Sequence, residues 1–227
     1  MRVLVGPRTD PERDLSAAAA AIALAGLDGE VVSLRERGVR TLSRSLSQAE
    51  VALLREALRG GAGQVAAARA DGWTGGAQTG GERPACAQRA LVGYLCRGGL
   101  LPPGAAPRAA GVAADRGLRL VAVTDHADLT WRSPLAGPND ASAGPRFPSM
   151  TGIYCPQTVW DRVAAVEGMI VVCGVVAGVR DDARPTAYEV ETAVAQGHAA
   201  VSSELVPVAI VAAHLGLRIA AVLVAGT

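Results

Sequence analysis

The stretch Val123–Met150 concentrates the chemistry-bearing side chains of this 227-residue chain. It reads VTDHADLTWRSPLAGPNDASAGPRFPSM and carries Asp125, His126, Asn139, Asp140 and Arg146. A histidine beside an acid can move protons or tie a loop together. Asn139 and Asp140 are turn formers, because their side chains bond backbone two residues on. The spacing predicts a strand ending at Thr124 and then an irregular loop of about 25 residues, a length that commonly carries function. His126 reads as a bridge across that loop ahead of an acid–base catalyst.

Other chemistries are excluded early. All 22 basic residues are arginine, so Schiff-base and lysine–phosphate chemistry have no donor. Cys86, Cys96, Cys155 and Cys173 show no C-x-x-C spacing, and His126, His198 and His214 are scattered, so no metal site is expected. The net charge of +1 argues against a nucleic-acid or anionic-membrane partner. The apolar stretch after Met1 is too short for a signal peptide, and no apolar run nears the roughly 18 residues of a membrane span. The expectation is a cytoplasmic protein with reduced thiols.

The elements that must position these residues alternate. Near-continuous Val, Ile and Leu runs predict strands at Arg2–Val5, Glu30–Leu34, Leu118–Thr124, Met169–Val176, Ala199–Ser202 and Leu217–Val224. Helical patterns fall at Leu15–Ala25, Ser47–Arg59, Ala85–Cys96, Gln157–Glu167, Thr186–Gln196 and Val206–Leu215. Ser47 and Glu50 form a capping-box pattern, and Gly197 and Gly216 stand where helices end. Cys86 and Cys96 would share one helix face, and His198 would lie exposed in a turn. Gly60–Gly81 and Leu101–Ala106 read as loops. The pattern implies a single α/β domain over residues 1–227.

Here a resemblance enters. Thr124-Asp125-His126, then Gly137-Pro138-Asn139-Asp140, then Arg146-Phe147-Pro148-Ser149-Met150 resemble the signature of the trimeric purine nucleoside phosphorylases, which include the methylthioadenosine phosphorylases. Val206-Pro207, Ile210-Val211-Ala212 and His214-Leu215-Gly216-Leu217-Arg218 resemble the family's late helix and final strand. Ala109-Ala110-Gly111 is a weaker match to a turn before the strand that reaches Thr124, with Arg108 in place of Asn. The resemblance spans residues 108–227; the first hundred residues share only length and strand–helix order. It implies a central mixed β-sheet flanked by helices, a homotrimer, and cleavage of a purine nucleoside's N-glycosidic bond with phosphate as possible co-substrate and no other cofactor.

Residue by residue, the resemblance implies both a site and its losses. Ala109, Ala110 and Gly111 would line the sugar and anion pocket, and Ser203 would take the place of a ribose-packing methionine. One alignment makes Tyr188 the base-stacking aromatic and Glu189 the base acceptor; another places Pro185 on the acceptor and leaves none. The family's phosphate loop after the first strand is Gly6-Pro7-Arg8-Thr9-Asp10 here, where proline removes an amide and Asp10 repels an anion. The family's Arg-x-His phosphate pair has no counterpart near Gly72–Gly76. Glu204 replaces a phosphate-binding serine; it reads either as a base that activates water or as a plain loop acid, solvated or in a local ion pair with an arginine. Gly226 stands for a base-binding Asn or Asp, and Ala143 for a sugar-packing phenylalanine. The expected function is a divergent family enzyme acting on a nucleoside or nucleobase, with altered phosphate recognition and hydrolysis as its variant. The alternatives are an inactive trimeric scaffold or partner subunit of an active paralogue, or recruitment to another reaction.

Overall fold

The computed structural model describes residues 1–26, 29–42, 46–59, 90–101, 118–164, 166 and 169–225. The expected turn at Ala109, Ala110 and Gly111, the loop Gly60–Gly81, Cys86 and Gly226 lie outside the described residues. Among the described residues there are seven strands: β1 (Val3–Val5), β2 (Val31–Ser33), β3 (Leu91–Leu100), β4 (Leu118–Asp128), β5 (Met169–Gly178), β6 (Ala200–Ser202) and β7 (Arg218–Ala225). Between them lie α1 (Leu15–Ala25), α2 (Gln48–Arg59), α3 (Pro156–Val163), α4 (Ala187–Ala195) and α5 (Leu205–His214).

The strands form one mixed sheet in the order β2-β1-β3-β6-β5-β4-β7, and β7 also pairs with β3. The last five strands therefore close a ring. Parallel pairing joins β1 to β2 and β3, β3 to β7, and β5 to β4 and β6; β3–β6 and β4–β7 are antiparallel. Helices cover both sides. Leu54 and Leu58 of α2 share a core with Leu205, Val208 and Ala209 of α5. Ala17 and Leu24 of α1 share a second core with Val159 and Val163 of α3. This is the expected α/β architecture with a central mixed sheet. Among the described residues no helix is long and apolar enough to cross a membrane.

One expected element is wrong. Residues 91–96 are a strand and not the end of a helix, so Cys96 lies in β3. Val92, Tyr94, Leu95 and Cys96 are all buried, because β3 pairs along both edges and is covered on both faces. A segment buried all round has no amphipathic period to separate strand from helix. The Ser47–Glu50 capping box forms as expected, with the Ser47 amide donating to Glu50 Oε2 at 2.9 Å and the Glu50 amide to Ser47 Oγ at 3.3 Å. Gly197 and Gly216 hold left-handed φ of 73° and 70° after their helices. His198 is buried and not exposed. Its amide bonds back to the Ala193 carbonyl at 2.9 Å, so the helix cap folds the ring inward.

β4 runs four residues further than expected, to Asp128, with an irregularity between Val123 and Asp125. Thr124, Asp125 and His126 thus sit on the strand. The long loop beyond them is stapled at intervals. Tyr154 Oη lies 2.8 Å from His126 Nδ1. Burial holds the Tyr154 hydroxyl well above its ordinary pKa, so it stays protonated and donates, and the neutral ring accepts. Gln48 Nε2 donates to the Ala136 carbonyl at 2.9 Å. His214 Nδ1 donates to the Pro145 carbonyl at 2.9 Å, which leaves Nε2 to accept from Arg55 Nη2 at 3.3 Å. Arg218 Nε donates to Gly152 O at 2.8 Å. The signature loop is architectural in these contacts.

Burial lowers the His126 pKa against the opposing pull of Asp125 and Asp128. A depressed histidine pKa contributes stability that is present above the unfolded value, about 6.5, and lost as pH falls through the folded value. Thermal melts across pH 4–8 are expected to show an acid-side loss that is shallower in His126→Gln.

Candidate functional site

Three chain segments converge where β1 and β6 end beside the second half of β3. The first is the turn Gly6–Arg8 after β1, the second is Arg97 near the end of β3, and the third is Ser202–Glu204, which leads from β6 into α5. Glu204 sits at the N-cap of α5 but makes no side-chain cap bond. Its carboxylate points instead across the strand ends and is fully buried. Oε1 accepts from the Arg8 amide and from Arg8 Nε, each at 3.1 Å. Oε2 accepts from the Arg97 amide at 3.4 Å. Gly6 makes this approach possible: a Cβ there would stand 2.5 Å from Oε2. Tyr94 Oη donates to the Glu204 backbone carbonyl at 3.3 Å.

A second carboxylate completes the cluster. Arg8 Nη2 is paired with Asp182 Oδ1, which also accepts from Ser203 Oγ at 2.7 Å. Ser202 Oγ accepts from the Glu204 amide at 3.2 Å and donates to the Arg97 carbonyl at 2.9 Å. Arg97 Nη2 pairs with Asp14 at 3.1 Å. Arg8 therefore faces two acids. Burial pushes the Glu204 carboxyl above the usual range, while Arg8 and the Arg97 amide pull it back. Burial works against the Arg8 charge, and the bond to Asp182 with the field of Glu204 outweighs it and holds the guanidinium protonated.

The structure thus brings Ser203 and Glu204 together, with Arg8 bonded directly to Glu204 and linked to Ser203 through Asp182. Of the two readings open for Glu204, the geometry is that of the ion pair: both oxygens are engaged and neither meets solvent. Tyr188 and Glu189 lie elsewhere in the contact pattern. Glu189 Oε2 accepts from the Thr186 amide at 2.8 Å and from Thr186 Oγ1 at 2.9 Å, and the Glu189 amide bonds Thr186 Oγ1. That is a capping box at the start of α4. Tyr188 beside it is 75% exposed. Ser203 lines a cavity of about 20 Å³ with Thr130, Arg132, Arg180 and Pro207, room for about one water and far below a nucleoside. Asp182 and Arg97 escape sequence reasoning, because nothing in R-D-D-A-R or L-C-R-G marks either as a partner of a residue a hundred positions away.

Residues 116–226 match the profile of the Phosphorylase superfamily. That stretch is similar to the phosphorylase superfamily. Purine nucleoside phosphorylase 1 of Bacillus subtilis (strain 168) is 33% identical over 102 residues, covering 44% of this chain and 38% of that protein. Its namesake in Geobacillus stearothermophilus is 33% identical over 102 residues, covering 44% and 37%. The chain therefore spans well under half the length of these relatives. A solved purine nucleoside phosphorylase from Schistosoma mansoni, in complex with cytosine and ribose-1-phosphate, aligns at 22% identity and TM-score 0.49 over 60% of this chain and 46% of its own. The superfamily stretch holds Glu204, Ser203 and Asp182, whereas Arg8 and Arg97 come from outside it. The cluster joins the two parts of the chain.

Removing one member of a buried ion pair typically costs about 3–5 kcal/mol, because the other charge is stranded. Arg8→Met should fall in that range by chemical denaturation, and Arg8→Met with Glu204→Gln should recover only part of the loss, because the buried Asp182 still lacks its cation. A raised folded pKa on Glu204 means that stability falls as pH rises through it. That fall should steepen in Arg8→Met, where the opposing pull is gone; an unchanged pH profile would contradict the pairing.

Proposed function

We propose that the chain acts on the N-glycosidic bond of a purine-type nucleoside and that its phosphate recognition is altered. The first part is supported by the superfamily stretch, which carries the core strands β4, β5, β6 and β7. The second part is supported by one observation, the Glu204 carboxylate engaged with the amides of Arg8 and Arg97. An anion held there repels a second anion. With phosphate disfavoured, water is the remaining nucleophile for the anomeric carbon: a C–O bond forms, the C–N bond breaks, and the base leaves with a proton. Ala109–Gly111 and Tyr188 are the proposed sugar and base contacts.

A second reading is favoured by Glu189 and Tyr188. The acid serves its own helix cap and the aromatic faces solvent, which fits a family member that no longer turns over nucleosides and serves as a scaffold. Either reading carries the expected homotrimer. Trp131 and Phe147, 86% and 87% exposed in the signature loop, supply apolar area for subunit contact.

Incubation with inosine, guanosine and methylthioadenosine, with and without phosphate, should release free base at equal rates in both conditions. Rates that rise with phosphate would overturn the altered-phosphate reading, and no release from any of the three favours the scaffold. Light scattering should give a mass near three times 23.0 kDa; a monomer mass counts against the trimer.

A further inference from the structure

Arg2 and Glu30 stand just before the parallel strands β1 and β2, at the opposite end of that pair from the Gly6–Arg8 turn. An open cavity of about 800 Å³ lies there against the second half of α2. Arg2 and Glu30 line it with Arg37, from the turn after β2, and with Arg55 and Arg59 of α2. Ala52, Leu53 and Ala57 add an apolar strip to the wall. The size suits a small molecule with a body of its own and not a bare ion.

The charges in this wall do not settle among themselves. Glu30 Oε2 stands 3.4 Å from Arg2 Nε, and Asp140 Oδ2 stands 3.4 Å from Arg55 Nη1, both long pairs. Asp140 is also taken by the Ser142 hydroxyl, which donates to it at 2.6 Å. The third acid, Glu56, is solvent-exposed. Arg37 and Arg59 make no ion pair with any described residue. The Nε atoms of Arg2, Arg55 and Arg59 are buried without a hydrogen-bond partner, three of the six such side-chain atoms among the described residues. Buried donors without acceptors are rare in folded chains, because each costs free energy. Arg55 and Arg59 also stand one helical turn apart, where like charges repel. Unmet donors gathered in one cavity mark it as a place for acceptors that the chain itself does not supply.

Guanidinium forks hold oxyanions through paired, charge-assisted bonds. A phosphomonoester gathers nearly two charges and three acceptor oxygens on one centre. That matches the two uncompensated arginines, Arg37 and Arg59, better than the single charge and two oxygens of a carboxylate. We propose that this cavity is a binding site for a phosphomonoester with an apolar body, the phosphate taken by Arg59 with Arg37 and Arg55, and the body laid on Ala52 and Leu53. The site shares no residue with the Glu204 cluster and does not depend on the nucleoside reading.

Phenyl phosphate has this head and body and no glycosidic bond. It is titrated calorimetrically into wild type, Arg37→Gln and Arg59→Gln at a pH above the second phosphate pKa of about 6, with phenol and inorganic phosphate as controls. Wild type should bind phenyl phosphate saturably, and each variant should bind it about tenfold more weakly or worse, the loss of one charge-assisted contact. Phenol should show no saturable binding, and inorganic phosphate should bind more weakly than phenyl phosphate. The melting midpoints of the ligand-free variants should match or exceed that of wild type, since neither change strands an acid and Arg59→Gln relieves the repulsion on Arg55. An absence of saturable binding to wild type overturns the proposal, as does wild-type affinity in both variants. Inorganic phosphate binding as tightly as phenyl phosphate removes the apolar body from the site and overturns the ligand class. A clear fall in both ligand-free midpoints would make the two arginines structural and overturn the site as well.

Discussion

A buried negative charge is the constraint around which this fold is arranged. Glu204 lies fully out of solvent at the start of α5, and an isolated carboxylate there would cost several kcal/mol. The chain answers with donors from two places far apart in sequence: Arg8 in the turn after β1, through both its amide and its guanidinium, and the amide of Arg97 in β3. Gly6 removes the one Cβ that would block the approach. Because these donors lie outside the superfamily stretch and the acid lies within it, the pair couples the two parts of the sheet. A second acid, Asp182, takes the remaining edge of the guanidinium and orders Ser203. Burial raises the Glu204 pKa against the pull of Arg8 and the Arg97 amide.

The same arrangement sets the chemistry. An anion fixed between strand-end amides occupies space and field that an anionic co-substrate would need. Coulomb repulsion at such distances in a poorly solvated site is worth far more than in water. In the proposed reading, altered phosphate recognition follows from the fixed Glu204 carboxylate and not merely from missing ligands. The signature loop, by contrast, has kept its structural duty. His126, His214 and Arg218 spend their donors and acceptors on Tyr154, Pro145 and Gly152 and hold the loop against the sheet.

Much of the fold was legible in the sequence, because strands covered on both faces show as runs of Val, Ile and Leu and helix ends carry their capping residues. The Ser47–Glu50 box, Gly197 and Gly216 are local signals with local causes. β3 was misread because burial on every side erases the period that tells strand from helix. His198 was misplaced because its burial follows from the geometry of a helix cap and not from its residue type. At the candidate site, Glu204 stood out only through its place in the superfamily pattern. Its partners Arg8 and Arg97, and the pairing of Arg8 with Asp182, are long-range, and single-chain spacing carries no record of such pairings. Glu189 illustrates the converse: a local capping signal, T-x-x-E, was present throughout and accounts for the contacts that the structure shows.

The most direct measurement is a crystal structure of Glu204→Ala grown from phosphate. The account predicts tetrahedral density within hydrogen-bond distance of the Arg8 and Arg97 amides, with the turn Gly6–Arg8 unmoved. A turn collapsed onto the vacated space, with no anion between those amides, would contradict it.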